Sequence, residues 1–402
     1  MKVDRDQFLK EGFLVLRNVI PPEMLDELRT GYEILVDRQR EIWASQRRPE
    51  DPPGGHWEAS AQPRLMLNSM GKHMNERTAC AVEHWVHENT QGVSSELLGV
   101  PDAGVTEMML MCNPVSDQGP ANWHRDLHPI DTAPLQAYID DIVENGPPYV
   151  QWNICLYDDE VLWVIPGSHL RINTEQENQQ LIDDSHKPLP GGLQTHLKAG
   201  DGVVYILPIL HWASNYSTKI RRTIHGGFAD VSHYRDLGFT EHISDSARSM
   251  FTRWDKRSEK KQNATERALR AAMNRDTSGY EQALEELRPG IGEKGKMLFS
   301  VFLSKTTIFI RLLKDPTHEG IAQPLRNSAQ DQHTLTFNWG PQFADRFNPE
   351  EAEELWECFK KLDAALQRDE EHFFPGFQSG PMHYTFNEMP DWGLQELFSS
   401  WG

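Results

Sequence analysis

The sequence predicts a mainly β core flanked by helices, followed by a long helical C-terminal stretch. Three observations predict it. Between about Val105 and Phe228, short apolar runs alternate with turns. Ahead of that region, apolar residues recur at helical spacing. After about Ser232, the texture becomes rich in Ala, Glu and Arg and loses its β character.

The N-terminal elements come first. Phe13 to Leu16 is a short apolar run directly after Gly12 and reads as a strand. Pro21 and Pro22 open a helix whose apolar positions are Met24, Leu25, Leu28, Tyr32 and Leu35. Residues 46–63, rich in Pro, Arg and Gly, read as a loop. The β-like runs are TEMMLMCN, YVQWNICLY, VLWVIPG, GVVYIL and RTIHGGF, and their number points to a barrel or sandwich. The segment from Pro129 to Pro148 shows no clear periodicity; a lid, an insertion and a surface loop all fit it.

Two helices stand out in the C-terminal part. Residues 257–288 end at Pro289-Gly290. Residues 349–371 begin with Asn348 as N-cap, Pro349 at the first helical position and Glu351 completing a capping box. Met297 to Leu313 is the most apolar stretch, but Ser300, Ser304, Lys305 and Arg311 interrupt it, so it reads as a buried helix and not a membrane span. The expected division is a core over residues 1–231 and a helical extension over 232–402 packed on it. Bracing the core, closing over a site and contacting another subunit are three roles open to that extension.

Composition narrows the class of partner. Acidic residues outnumber basic ones, 60 against 40, for a formal net charge of −20 in 402 residues. Such a surface repels phosphate backbones, so nucleic acid is a poor partner. A small substrate, even an anionic one, remains compatible, because a pocket can be locally basic. Cys80, Cys112, Cys155 and Cys358 are far apart and show no CxxC spacing. That argues against a disulfide framework or a zinc-thiolate site and for a reducing, cytoplasmic setting. The start, MKVDRDQFLKEGF, carries acids and lacks the apolar run of a signal peptide.

The chemistry is concentrated in Asn122-Trp-His-Arg-Asp-Leu-His128. His124 and Asp126 are two apart, and on a strand such residues project from one face. One further His completes a two-His-one-carboxylate triad, which leaves open positions on Fe(II) for a co-substrate and dioxygen. His211 fits, because it follows the turn and apolar run GDGVVYILPIL, read as a core strand that delivers a His at its end. Arg221, Arg222 and Thr223 open the last β-like run, and a cation there can grip a dicarboxylate with two prongs. Thr223 lies two beyond Arg221, so the two share a face. Gln151 and Asn153 also alternate on one face; on an inner face they meet co-substrate or substrate. His128 reads as a loop residue before Pro129 that alternatively extends the ligand face. His169 reads as a turn residue, and His225 as a buried residue of the last run. Trp123 flanks the metal-ligand run, and Trp163 reads as core.

These residues resemble the phytanoyl-CoA dioxygenase family of Fe(II)/2-oxoglutarate oxygenases. The likeness runs from DQFLKEGFLVLRNVIPPEMLDELR through His124-Arg-Asp126, Asp158-Asp-Glu-Val-Leu-Trp-Val-Ile-Pro-Gly-Ser-His169 and Gly200-Asp201 to His211 and Arg221, over roughly residues 4–230. It implies a double-stranded β-helix, or jelly roll, and His124, Asp126 and His211 as iron ligands. It implies 2-oxoglutarate as co-substrate, held at its distal carboxylate by an arginine. Counting from His211 by the family's interval reaches Arg222; aligning Asn215-x-Ser217 reaches Arg221, which Thr223 on the same face favours. The family's halogenating members replace the metal carboxylate with a small residue. Asp126 is present here, so the resemblance implies oxidation of a C–H bond, as in hydroxylation, with succinate and carbon dioxide as co-products. A cupin-type metalloenzyme without 2-oxoglutarate and a non-catalytic binding protein on the same fold are the alternative readings.

Overall fold

The computed structural model describes residues 1–127, 133–232, 238–315, 341–376, 382–386 and 389–401. The chain is a mixed α/β protein with antiparallel sheets. Its contacts divide it into two compact units: Met1–Arg125 with Pro147–His169 and Asn173–Ser258, and Asp126–Gly146 with Leu170–Ile172 and Glu259–Gly402.

The first unit is built on a six-stranded sheet. In chain order its strands are β1 (Phe13–Leu16), β2 (Arg64–Met66), β3 (Gly104–Cys112), β5 (Tyr149–Cys155), β8 (Gly202–Ile206) and β11 (Arg222–Ala229), and across the sheet the order is β1-β8-β5-β11-β3-β2. Two smaller sheets accompany it. One pairs β4 (Gly119–Pro120) with β10 (Ser214–Asn215); the other is β7-β6-β9, from Leu193–Gln194, Trp163–Val164 and His211–Trp212. The first helix, Arg5–Glu11, is capped by the Asp4 carboxylate, which accepts from the Gln7 amide at 2.9 Å. It ends at Gly12, whose φ of +84° is left-handed and whose missing side chain leaves room for the His169 ring.

The central strands are buried on both faces, which is why they read as nearly unbroken apolar runs. On one face the Trp152 indole donates to Ser94 Oγ at 2.9 Å, and Phe228 packs against Trp85. On the other face Cys155, Val203 and Tyr205 pack with Leu162, Val164, Leu197 and Ile209.

The second unit is a helical assembly. The helix Glu293–Lys314 is buried along most of its length among apolar residues of the helices Thr277–Leu287 and Pro349–Leu366. Its one fully buried cation, Lys305, is neutralised by Asp363. Among the described residues, no helix is long and apolar enough to cross a membrane. The predicted capping box is present: the Glu351 amide donates to Asn348 Oδ1 and the Asn348 amide to Glu351 Oε2, both at 2.9 Å.

Several local expectations need correcting. The helix expected over 349–371 stops at Leu366, because the backbone of Gln367–Phe374 pairs with Met382–Phe386. The helix expected over 257–288 is two helices, Asp245–Met273 and Thr277–Leu287; Asp276 caps the second by accepting from the Gly279 amide at 2.9 Å. Pro129–Pro148 is not featureless. Leu135–Asn145 is a helix whose Leu135, Ile139 and Ile142 form an apolar stripe, and Arg288 anchors it by donating to Asp141 Oδ2 at 2.8 Å and to the Gly146 carbonyl.

Candidate metal centre

His124 and His211 are neighbours across a single antiparallel bridge. Each amide donates to the other's carbonyl at 3.0 Å. Two residues so paired place their side chains on the same face, and the imidazole centroids lie 4.3 Å apart. Asp126 follows two residues along the chain. One ligand atom from each of His124, Asp126 and His211 lies within 4.8 Å of the others, and among the described residues this is the group with such a disposition.

Backbone carbonyls orient both rings. His124 Nδ1 sits 2.7 Å from the Asn122 carbonyl oxygen, and His211 Nδ1 sits 3.1 Å from that of Ile209. A carbonyl can only accept, so each Nδ1 carries a proton, and Nε2 is the atom through which each ring would bind a metal. Two imidazoles and a carboxylate form a mixed nitrogen–oxygen donor set of the kind that suits Fe(II).

The strand readings behind this site were only partly right. His124 and Asp126 lie beyond any regular strand, and one bridge replaces a ladder. His211 does not end the strand of GVVYIL. That strand, β8, stops at Ile206; a turn follows, and His211 opens β9 in a different sheet.

Arg125, between His124 and Asp126, is 1% exposed. Its Nη1 donates to the Ser168 carbonyl at 2.7 Å and to that of Pro208, and its Nη2 to Asn173 Oδ1 at 2.9 Å. One guanidinium thereby ties the HRD segment to the PGSH turn and to the turn before His211. The reading of the sequence gave this residue no role; an arginine between two ligands was the available signal.

The last strand separates the two candidate arginines. Thr223 and His225 of β11 pair with Cys155 and Asn153 of β5, and Gln151 pairs with Gly227, so these side chains share one face. On it, His225 Nδ1 lies 2.6 Å from Asn153 Oδ1, and Gln151 Nε2 donates to the Tyr205 hydroxyl at 2.7 Å. The Tyr205 ring is 5.3 Å from that of His211, which brings this face to the candidate metal centre. Arg221 Nε donates to Asp159 Oδ2 at 2.7 Å, and Thr223 Oγ1 donates to the same oxygen at 3.1 Å. Burial pushes the Asp159 carboxyl up, but the Arg221 guanidinium and hydrogen bonds from Val161, Arg221 and Thr223 outweigh it and hold it below the usual carboxylate range. Arg222 points the other way. Its Nη1 donates to Asn113 Oδ1 and to the Arg221 carbonyl, and its Nε and Nη2 face the Glu33 carboxylate.

Trp123 is fully buried and stacks on Trp212 at 5.4 Å, with Trp163 against the same ring. His169 is buried in its turn, with Nε2 at 2.9 Å from the Leu9 carbonyl. His128 lies outside the described residues.

A model of the phytanoyl-CoA dioxygenase (PhyH) family matches residues 8–224, just over half of the chain. The chain belongs to the phytanoyl-CoA dioxygenase family. The matched span contains His124, Asp126, His211, Arg221 and Arg222. By family the protein is an Fe(II)/2-oxoglutarate-dependent oxygenase, and its cofactors are Fe(II), 2-oxoglutarate and dioxygen.

Among solved structures it is similar to AviO1 from Streptomyces viridochromogenes Tue57, at 21% identity and TM-score 0.39, covering 57% of this chain and 96% of that one. It is similar to HygX from Streptomyces hygroscopicus with nickel and 2-oxoglutarate bound, at 16% identity and TM-score 0.41, covering 58% and 90%. It is also similar to EctD from S. alaskensis with 2-oxoglutarate and 5-hydroxyectoine, at 15% identity and TM-score 0.39, covering 56% and 74%. Comparison with curated proteins gives no match.

Proposed function

We propose that this oxygenase hydroxylates, or otherwise oxidises, an unactivated C–H bond of a small organic molecule, with succinate and carbon dioxide as co-products. The observation that carries the reading is the convergence of His124, Asp126 and His211 within 4.8 Å, on rings that backbone carbonyls orient. In this reading the six-stranded sheet and the smaller sheets form a double-stranded β-helix, and the three residues hold Fe(II) at its mouth.

When bound, Fe(II) with 2-oxoglutarate and dioxygen supplies the oxidising power. The chain's own residues bind, orient and exclude water. Arg221 receives the distal carboxylate of 2-oxoglutarate. Its Nε is taken by Asp159, and among the described residues no hydrogen bond from its Nη atoms is seen, so that edge is open to a ligand carboxylate. The engagement of Arg222 with Glu33 and Asn113 supports Arg221 over Arg222 in this reading. Thr223 serves through Asp159, and Gln151 and Asn153 line the approach from β5. Leu162, Val164, Val203 and Ile209 keep the surroundings dry. Asp126 would supply a carboxylate to the metal where the family's halogenating members have a small residue, so oxygen insertion is favoured over chlorination.

The test is succinate formation by anaerobically purified protein given Fe(II), ascorbate, oxygen and 2-oxoglutarate, with and without a pooled metabolite library. Library-dependent succinate is the expected result. If neither Fe(II) nor 2-oxoglutarate binds, the triad reading fails.

A further inference from the structure

We propose that Asp159 is a positioning residue for the co-substrate: it fixes the Arg221 guanidinium from behind so that the opposite edge meets a distal carboxylate. This rests on Arg221 being the receptor for that carboxylate.

Asp159 is only 8% exposed and is held at every polar atom. Its Oδ1 accepts from the Val161 amide at 2.9 Å, and its Oδ2 accepts from Arg221 Nε and Thr223 Oγ1. Its backbone exchanges two hydrogen bonds with Leu197, at 3.0 and 2.9 Å. An anchor so fixed cannot follow a moving partner.

The guanidinium is planar, and holding Nε sets the plane and the direction of the remaining donors. Asp159 therefore determines where the two Nη groups point. A carboxylate that competed with the co-substrate would sit on the Nη edge; Asp159 sits on the Nε edge and leaves that one open. The pair is also neutral before the ligand arrives. Recognition then depends on the direction of two N–H groups more than on net charge, which favours a carboxylate at one fixed distance from the metal.

The experiment is an anaerobic titration of the Fe(II)-loaded protein, followed by its visible charge-transfer band, with two ligands. One is 2-oxoglutarate; the other is 2-oxobutyrate, which keeps the chelating end and lacks the distal carboxylate. Asp159→Ala is expected to weaken 2-oxoglutarate by about ten-fold or more and to leave 2-oxobutyrate nearly unchanged. Asp159→Asn, which still offers an oxygen to Arg221 and Thr223, is expected to recover most of the loss. Equal weakening of both ligands by Asp159→Ala, without recovery in Asp159→Asn, would overturn the positioning role, as would tighter binding of 2-oxoglutarate. Arg221→Ala in the same titration separates the two ideas. If it fails to discriminate between the ligands, the reading of Arg221 is wrong. If it discriminates and Asp159→Ala does not, only the role of Asp159 falls.

Discussion

His124 and His211 are bonded to each other through their backbones, amide to carbonyl in both directions at 3.0 Å, before any metal is considered. The main chain thus sets the spacing of the two rings, and the metal does not have to assemble it. Removing a ligand side chain should cost affinity and spare the fold. Asp126→Ala and His211→Ala are expected to lose Fe(II) binding and succinate formation while circular dichroism and melting temperature stay close to the parent. Retained turnover in Asp126→Ala would sink the ligand assignment.

Arg221 and Arg222 should fail in different ways. Arg221→Ala is expected to raise the 2-oxoglutarate requirement by well over ten-fold, given the loss of a two-pronged contact. Arg222→Ala is expected to leave that requirement almost unchanged. It should instead destabilise the fold by about 2 kcal/mol, a figure reduced because the Glu33 side chain it would strand is 34% exposed. Titrations of 2-oxoglutarate and urea melts of both variants check this. The reverse ranking would assign the co-substrate to Arg222.

Arg125 carries a third prediction. Replacing it by Leu leaves the Ser168 and Pro208 carbonyls without their donor and loosens the segment between His124 and Asp126. Fe(II) affinity is expected to fall by roughly 10–100-fold, the usual cost of losing support around metal ligands. Calorimetric titration with Fe(II) measures it, and unchanged affinity would show that the tie is dispensable.

A fourth prediction concerns pH. His84 is fully buried, and burial, helped by His87, lowers its pKa from 6.5 to about 3. The folded protein therefore keeps it neutral where the unfolded chain protonates it. Stability is full above pH 6.5 and is lost as pH falls from there towards 3. At pH 5 the loss is about 2 kcal/mol. In urea melts at pH 7.5 and pH 5, His84→Leu should flatten the difference; an equal pH dependence in the variant would place its origin elsewhere.

The sequence by itself determined most of the core strands and the residue types of the candidate metal centre. Short apolar runs bounded by turns marked β3, β5, β8 and β11, and the Asn348–Glu351 capping box marked a helix start, because these signals depend on a few adjacent residues. The HxD spacing and a later His named His124, Asp126 and His211, since metal chemistry restricts which side chains qualify. Other features were not legible there. The helix Leu135–Asn145 was missed although Leu135, Ile139 and Ile142 lie at helical spacing. Arg125 and Asp159 act through Ser168, Pro208, Arg221 and Thr223, partners 43 to 83 residues away, and no local pattern encodes such pairings. The Thr223 spacing favours Arg221, but the partners of the two arginines, Asp159 and Glu33, appear only in the tertiary structure. Adjacent residues on a strand face opposite sides, and only the packing around β11 decides which side holds Asp159 and which holds Glu33.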